Sequence, residues 1–211
     1  MRFASTLLLL TCCRLFGQTP TPPDKPTIPD LPNANSKIIQ LVVEDQWDRG
    51  NDMFGGRQVK APVPDWKEIG ARDEQRHAQV RKLLQDGQLK SGKDFSFAAL
   101  IFQHSSKAED LMFGHILAVT AVANGGDAMA KWLAAATLDR YLNALGQSQV
   151  FGTQFHKGEG QPWTMDPYDR KVLSDSERAL WCVIPLADQE HALKDMQSGG
   201  PGSSTQVKDC K

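Results

Sequence analysis

SKAEDLMFGHILAVTAVANGGDAMAKWLAAATLDRYLNALG, residues 106–146, decides the fold class. From Leu111 to Ala123 there is no Asp, Glu, Lys or Arg. The run is longer than a strand, and Gly114 and His115 interrupt it short of a membrane-spanning length, so it reads as a buried helix. Ser106 and Glu109 have the spacing of a capping box at its start. Asn124-Gly125-Gly126 stops it. Asp127 then caps a second helix running to Leu145, with Gly146 in the stop position. Two long helices joined by a short glycine turn predict an antiparallel αα-hairpin. The fold class that follows is mainly α, a helical bundle around that central hairpin.

Working outward, Ser36 caps a helix over Lys37 to Arg49, where Ile38, Leu41, Val42 and Gln46 share one face. Residues 51–65 read as a loop containing Pro62 and Pro64. A second helix spans about Ala71 to Asp86, with Val80, Leu83 and Leu84 as its apolar stripe and Gly87 as its stop. A third covers Asp94 to His104. Beyond the central pair the period changes. Gln149 to Phe155 alternates like a strand, His156 to Gly160 turns, and Gln161 to Met165 returns, which predicts a short β-hairpin near 149–165. Helices near Ser174–Trp181 and Leu186–Met196 follow. From Ser198 the chain is rich in Gly and Ser and predicts a disordered tail over 198–211. The whole reads as a single helical domain over 36–197.

Residues 1–17 have the pattern of a secretory signal: Arg2, then an apolar stretch around Leu7 to Leu10. Leu9-Leu10-Thr11-Cys12 is also an imperfect lipobox, so the expected location is secreted or periplasmic, with lipid anchoring at Cys12 or Cys13 as the alternative. Six prolines over 18–35 make an extended linker. Loss of Arg2 and Arg14 with a leader would shift the net charge from −1 to −3. No basic stripe argues for a nucleic-acid partner, and no later run spans a membrane. Cys182 and Cys210 either pair or stay free. No zinc-ligand spacing is present, and the spacing of His104, Glu109 and His115 is not that of a metal helix, so no metal is expected. There is no P-loop, Rossmann or GxSxG fingerprint, hence no cofactor or nucleophile elbow. Oligomeric state is not fixed.

Polar residues gather where the second central helix ends, in LDRYLNALGQSQVFGTQF, residues 138–155. Neighbouring helical residues point about 100° apart. Counting from the solvent-side Lys131 places Arg140 on the apolar meridian of Met129 and Leu133, and Asp139 nearer the polar flank. A buried guanidinium needs a partner or a cavity holding an anion. Strand alternation puts Gln149, Phe151, Thr153 and Phe155 on one side, and Val150, Gly152 and Gln154 on the other. His104 ends the third helix beside Gln103, where the helix dipole favours it and where it could also act as a base. His115 shares a face with Leu111 and Val119 and reads as a core histidine. One outcome is a pocket for a small polar or anionic ligand, with Gln103, Asp139, Arg140, Gln149, Thr153 and Gln154 as ligand-binding residues. His104 as general base would make it a hydrolase. The other outcome is an interaction scaffold whose buried polar core is structural.

These motifs resemble a bacterial family of uncharacterised, mostly helical domains over about residues 37–190. The matching residues are Gln103-His104, Asp139-Arg140, Gly146 to Gln154, Pro162 to Pro167, and Pro185-Leu186. Asp45-Gln46 and Asp48-Arg49 resemble its N-terminal signature. Phe151 stands where that pattern more often has tyrosine. The resemblance implies a helical domain and the place of the site, and implies no reaction.

Overall fold

The computed structural model describes residues 26, 28–55, 65–207 and 210. The expected leader over 1–17 and most of the proline-rich linker lie outside them. Seven helices order the described chain: α1 (Ser36–Asp48), α2 (Trp66–Gln85), α3 (Gly92–Phe102), α4 (Ala108–Ala123), α5 (Ala128–Ala144), α6 (Asp175–Leu180) and α7 (Leu186–Gln197). The protein is mainly α. None of these helices is long and apolar enough to cross a membrane.

Local polar chemistry sets the helix starts. Asn35, not Ser36, caps α1, and its side-chain oxygen accepts from the amides of Lys37 and Ile38. Asp65 starts α2 five residues before the apolar stripe suggests. Ser91 and Asp94 form the capping box of α3, and Asp94 also accepts from the Asn35 amide at 2.7 Å, tying the starts of α1 and α3 together. The expected Ser106–Glu109 box does not form. The N-cap of α4 is Lys107, without a side-chain bond. Ser105 instead accepts from the Lys107 amide and donates to Asp110, so the hydroxyl one residue earlier does the work. Asp127 caps α5 as the sequence predicts.

α4 packs along both α3 and α5, and α1 closes over α3. Ile38, Leu41 and Val42 meet Phe97, Ile101, Phe102, Leu117 and Leu133 in the main core. Gly114, which interrupts the apolar run in sequence, lets α3 approach: a Cβ there would lie 3.1 Å from that of Phe102.

Where the sequence predicts a β-hairpin near 149–165, the described residues pair only through isolated bridges, His156 with Thr164 antiparallel and Gln149 with Tyr168 parallel. Gly152 breaks the alternation. Its φ is +74°, and a Cβ there would sit 2.6 Å from the Tyr168 ring, so the chain turns sharply at the one residue type that fits.

The tail expected to be disordered from Ser198 is instead tied down over 198–207. Thr205 is only 4 % exposed. Its hydroxyl oxygen accepts from the Trp132 indole at 3.1 Å, and its carbonyl accepts from the Ile184 amide. Cys182 and Cys210 form a disulfide with Cα atoms 5.5 Å apart. Composition favours disorder, but a covalent link and a bridge between Val183 and Gln206 hold this segment.

Candidate functional site

The candidate site begins with charge spacing on two helices. On α1, Asp45 and the α1-terminal Arg49 are four residues apart and share a face. On α2, Arg72, Asp73 and Arg76 occupy the facing turns. Arg49 bonds Asp45 at 2.9 Å and reaches Asp73 at 2.6 Å. Arg76 bonds Asp73 at 2.7 Å and also bonds Asp48, which takes a second contact from Arg72 at 2.8 Å. Three carboxylates thus neutralise three guanidiniums. Burial alone would raise the Asp48 carboxyl, but hydrogen bonds from Arg72 and Arg76 hold it below the ordinary aspartate range.

His104 follows the end of α3 and joins this network. Its Nδ1 lies 3.1 Å from one oxygen of the fully buried Asp45 and 3.3 Å from the other. Burial lowers the imidazole below its ordinary value, partly opposed by Asp45, and Arg49 and Arg140 lower it further. With Nδ1 bound to Asp45, Nε2 carries no hydrogen bond among the described residues.

Arg140 comes from the last turn of α5 and makes no ion pair with any described residue. Its Nε is buried without a hydrogen-bond partner. Burial, and then repulsion from Arg49, lower its pKa, though a guanidinium stays charged at neutral pH. Two cavities meet at this side chain. One, of about 510 Å³, is also lined by Arg49, Asp73, His77 and His104, with the exposed Trp66 on its wall. The other, of about 420 Å³, is lined by Asn143, Gln154, Phe155 and His156. Ser105 and Ser106 line both. Asn143, one turn after Arg140, leaves its Oδ1 buried and unpartnered as well.

Next to Arg140 in sequence, Asp139 has the opposite surroundings. The expectation that it sits toward a polar flank is overturned: it is 0 % exposed. Its carboxylate accepts from the amides of Val150, Phe151 and Thr153 and from the Thr153 hydroxyl, all within 2.8–3.0 Å. The segment 150–153 folds over the flank that helical counting leaves open. Burial pushes the Asp139 carboxyl above its ordinary range, and these four donors only partly oppose the rise. Gln149, also 0 % exposed, donates to the carbonyls of Gln154 and Met165 and accepts from the Gln154 amide.

The polar residues singled out in sequence therefore fall into two groups. His104, Arg140 and Gln154 line the cavities. Asp139, Gln149 and Thr153 are consumed in holding the loop. Gln103 is buried with its Oε1 unpartnered and lines neither cavity. His115 Nδ1 donates to the Ala134 carbonyl, on the α4–α5 contact. Sequence reasoning did not single out Asp73, Arg76, His77 or Asn143 as site residues. The Asp–Arg pairs at helical spacing, four apart at 45–49 and three apart at 73–76, were the available signal, since such pairs usually face solvent and here face each other.

No family model, no curated protein and no solved structure matches the chain.

Proposed function

We propose that the cleft around Arg140 binds a small anionic ligand. The observation that carries this is the orphaned guanidinium. Every carboxylate of the neighbouring network is already matched by another arginine, so Arg140 is left as a half-buried cation in a cavity. Desolvating a cation without a partner costs several kcal/mol, roughly, in a folded protein. An anion entering the cavity would supply the missing partner. The unpartnered oxygen of Asn143 calls for a donor on the same ligand, which suits a small acid bearing a hydroxyl or amino group. The helical hairpin of α4 and α5 would present Arg140 to it. Asp45, Asp48, Arg49, His104, Arg140 and Gln154, which carry the resemblance to the uncharacterised bacterial domains, meet here or on the adjoining walls, in keeping with this use. The chain would act in a secreted or periplasmic setting.

A second reading has a specific observation in its favour. Asp45 orients His104 through Nδ1, the arrangement that prepares Nε2 to take a proton. In a hydrolase, Nε2 would take the proton of an attacking water, Asp45 would steady the resulting imidazolium, and Arg140 would hold the developing negative charge.

Calorimetric titration with phosphate and with small hydroxycarboxylates tests the binding. Binding by the native protein, weakened at least about tenfold in Arg140→Met, is expected, since a hydrogen bond to a charged group is worth roughly 1.5–3 kcal/mol. Equal affinity in the two proteins would remove the reading.

A further inference from the structure

We infer that Glu74, His77 and Asp110 form a binding site for a divalent transition-metal ion of the zinc type. Glu74 and His77 are one turn apart on α2 and point to the same face. Asp110 meets them from the first turn of α4. One ligand atom from each lies within 4.8 Å of the others.

The decisive feature is the tautomer of His77. The ring is 4 % exposed and stacked on Phe102, with centroids 4.3 Å apart. Its Nε2 lies 3.3 Å from the Ile101 carbonyl. A carbonyl only accepts, so Nε2 carries the hydrogen and donates. In the neutral ring Nδ1 then holds the lone pair, and it is buried without a hydrogen-bond partner. That lone pair is 3.6 Å from an Asp110 oxygen. Two electron-rich atoms face each other across a gap too wide for a good hydrogen bond. A tetrahedral zinc ion, with bonds near 2.0–2.2 Å, holds its ligand atoms about 3.4 Å apart. The gap is close to that spacing, and the exposed Glu74 side chain is free to change rotamer and close the third contact.

The surroundings match what metal-bound histidines and carboxylates usually show. The Nε2–H bond to a backbone carbonyl fixes the ring. Asp110 is oriented by Arg81 at 2.7 Å on one oxygen and by the Ser105 hydroxyl at 3.1 Å on the other. Lys107 contacts Glu74 at 2.8 Å on the surface, and an ion would displace it. Neutral imidazole and two carboxylates balance a divalent charge. Three protein ligands leave a fourth position for water, and Glu74 and His77 line the cavity that Arg140 also lines. The proposal stands on α2 and α4 and does not depend on an anion at Arg140.

Titration of the full chain with Co²⁺, followed by visible absorption, and with Zn²⁺ by calorimetry tests it. One ion per chain is expected, with affinity lowered at least about tenfold in Glu74→Gln and in Asp110→Asn. The exposed Glu74 variant keeps the test valid if Asp110→Asn does not fold. Absence of stoichiometric binding would overturn the proposal. Binding unchanged in Glu74→Gln would also overturn it and place the ion elsewhere, as at Cys12 and Cys13.

Discussion

Asp139 and Arg140 are neighbours in sequence and opposites in structure. The carboxylate of Asp139 has four donors and no accessible surface. The guanidinium of Arg140 has a buried Nε with no partner, and two cavities meet at it. One helical turn therefore holds a buried charge that organises the fold and another that the fold leaves unsatisfied. Buried polar groups in native proteins are nearly all paired, so the exception marks a place where something outside the chain is expected. The saturated half is what a scaffold would need.

Three substitutions would break or sharpen this contrast. Asp139→Ala has the largest expected effect. It orphans three amides and a hydroxyl, and should destabilise the protein by about 3–5 kcal/mol in urea unfolding. A loss under about 1 kcal/mol would mean that the 150–153 loop does not depend on the carboxylate. Arg140→Met should have the opposite sign. Replacing an unpaired half-buried cation by an apolar chain of similar length should stabilise by about 1–2 kcal/mol. Destabilisation instead would show that Arg140 has a structural partner in solution.

The smallest expected effect is on pH dependence. Folding lowers the His104 pKa below the ordinary value of 6.5. Between 6.5 and the folded pKa the unfolded chain binds a proton that the folded one does not. Stability from this group is therefore present above 6.5 and lost as pH falls through that window. His104→Gln should flatten that part of the curve relative to the native protein, as read from chemical unfolding at a series of pH values. An unchanged slope would mean that His104 is not held neutral.

Much of this architecture is written locally. The charge-free run from Leu111 to Ala123 and the turn at Asn124-Gly125-Gly126 give α4 and its end, because an apolar helix and a glycine stop are decided within a few residues. The Asp127 cap is equally local. The errors share one cause. Ser106 satisfies the capping-box pattern, yet Ser105 takes the amide because Asp110 is already in place to accept its hydroxyl hydrogen. Gln149 to Phe155 alternates like a strand, yet Gly152 turns it against Tyr168 and Gln189 from distant segments. The Gly/Ser tail looks unstructured, yet Cys210 finds Cys182.

By itself, then, the sequence determined the helical class, most helix ends and the two residues, His104 and Arg140, that share a cavity wall. Periodicity and caps depend on neighbours within about one turn, so they survive without the rest of the molecule. Only the tertiary structure decided which charges are matched. Asp45 lies on α1, whereas Asp73 and Arg76 lie on α2. Whether a given arginine is neutralised depends on which carboxylates the packing brings within about 4 Å of it. That sum over α1, α2, α3 and α5 leaves Arg140 over, and no pattern along one strand of sequence contains it.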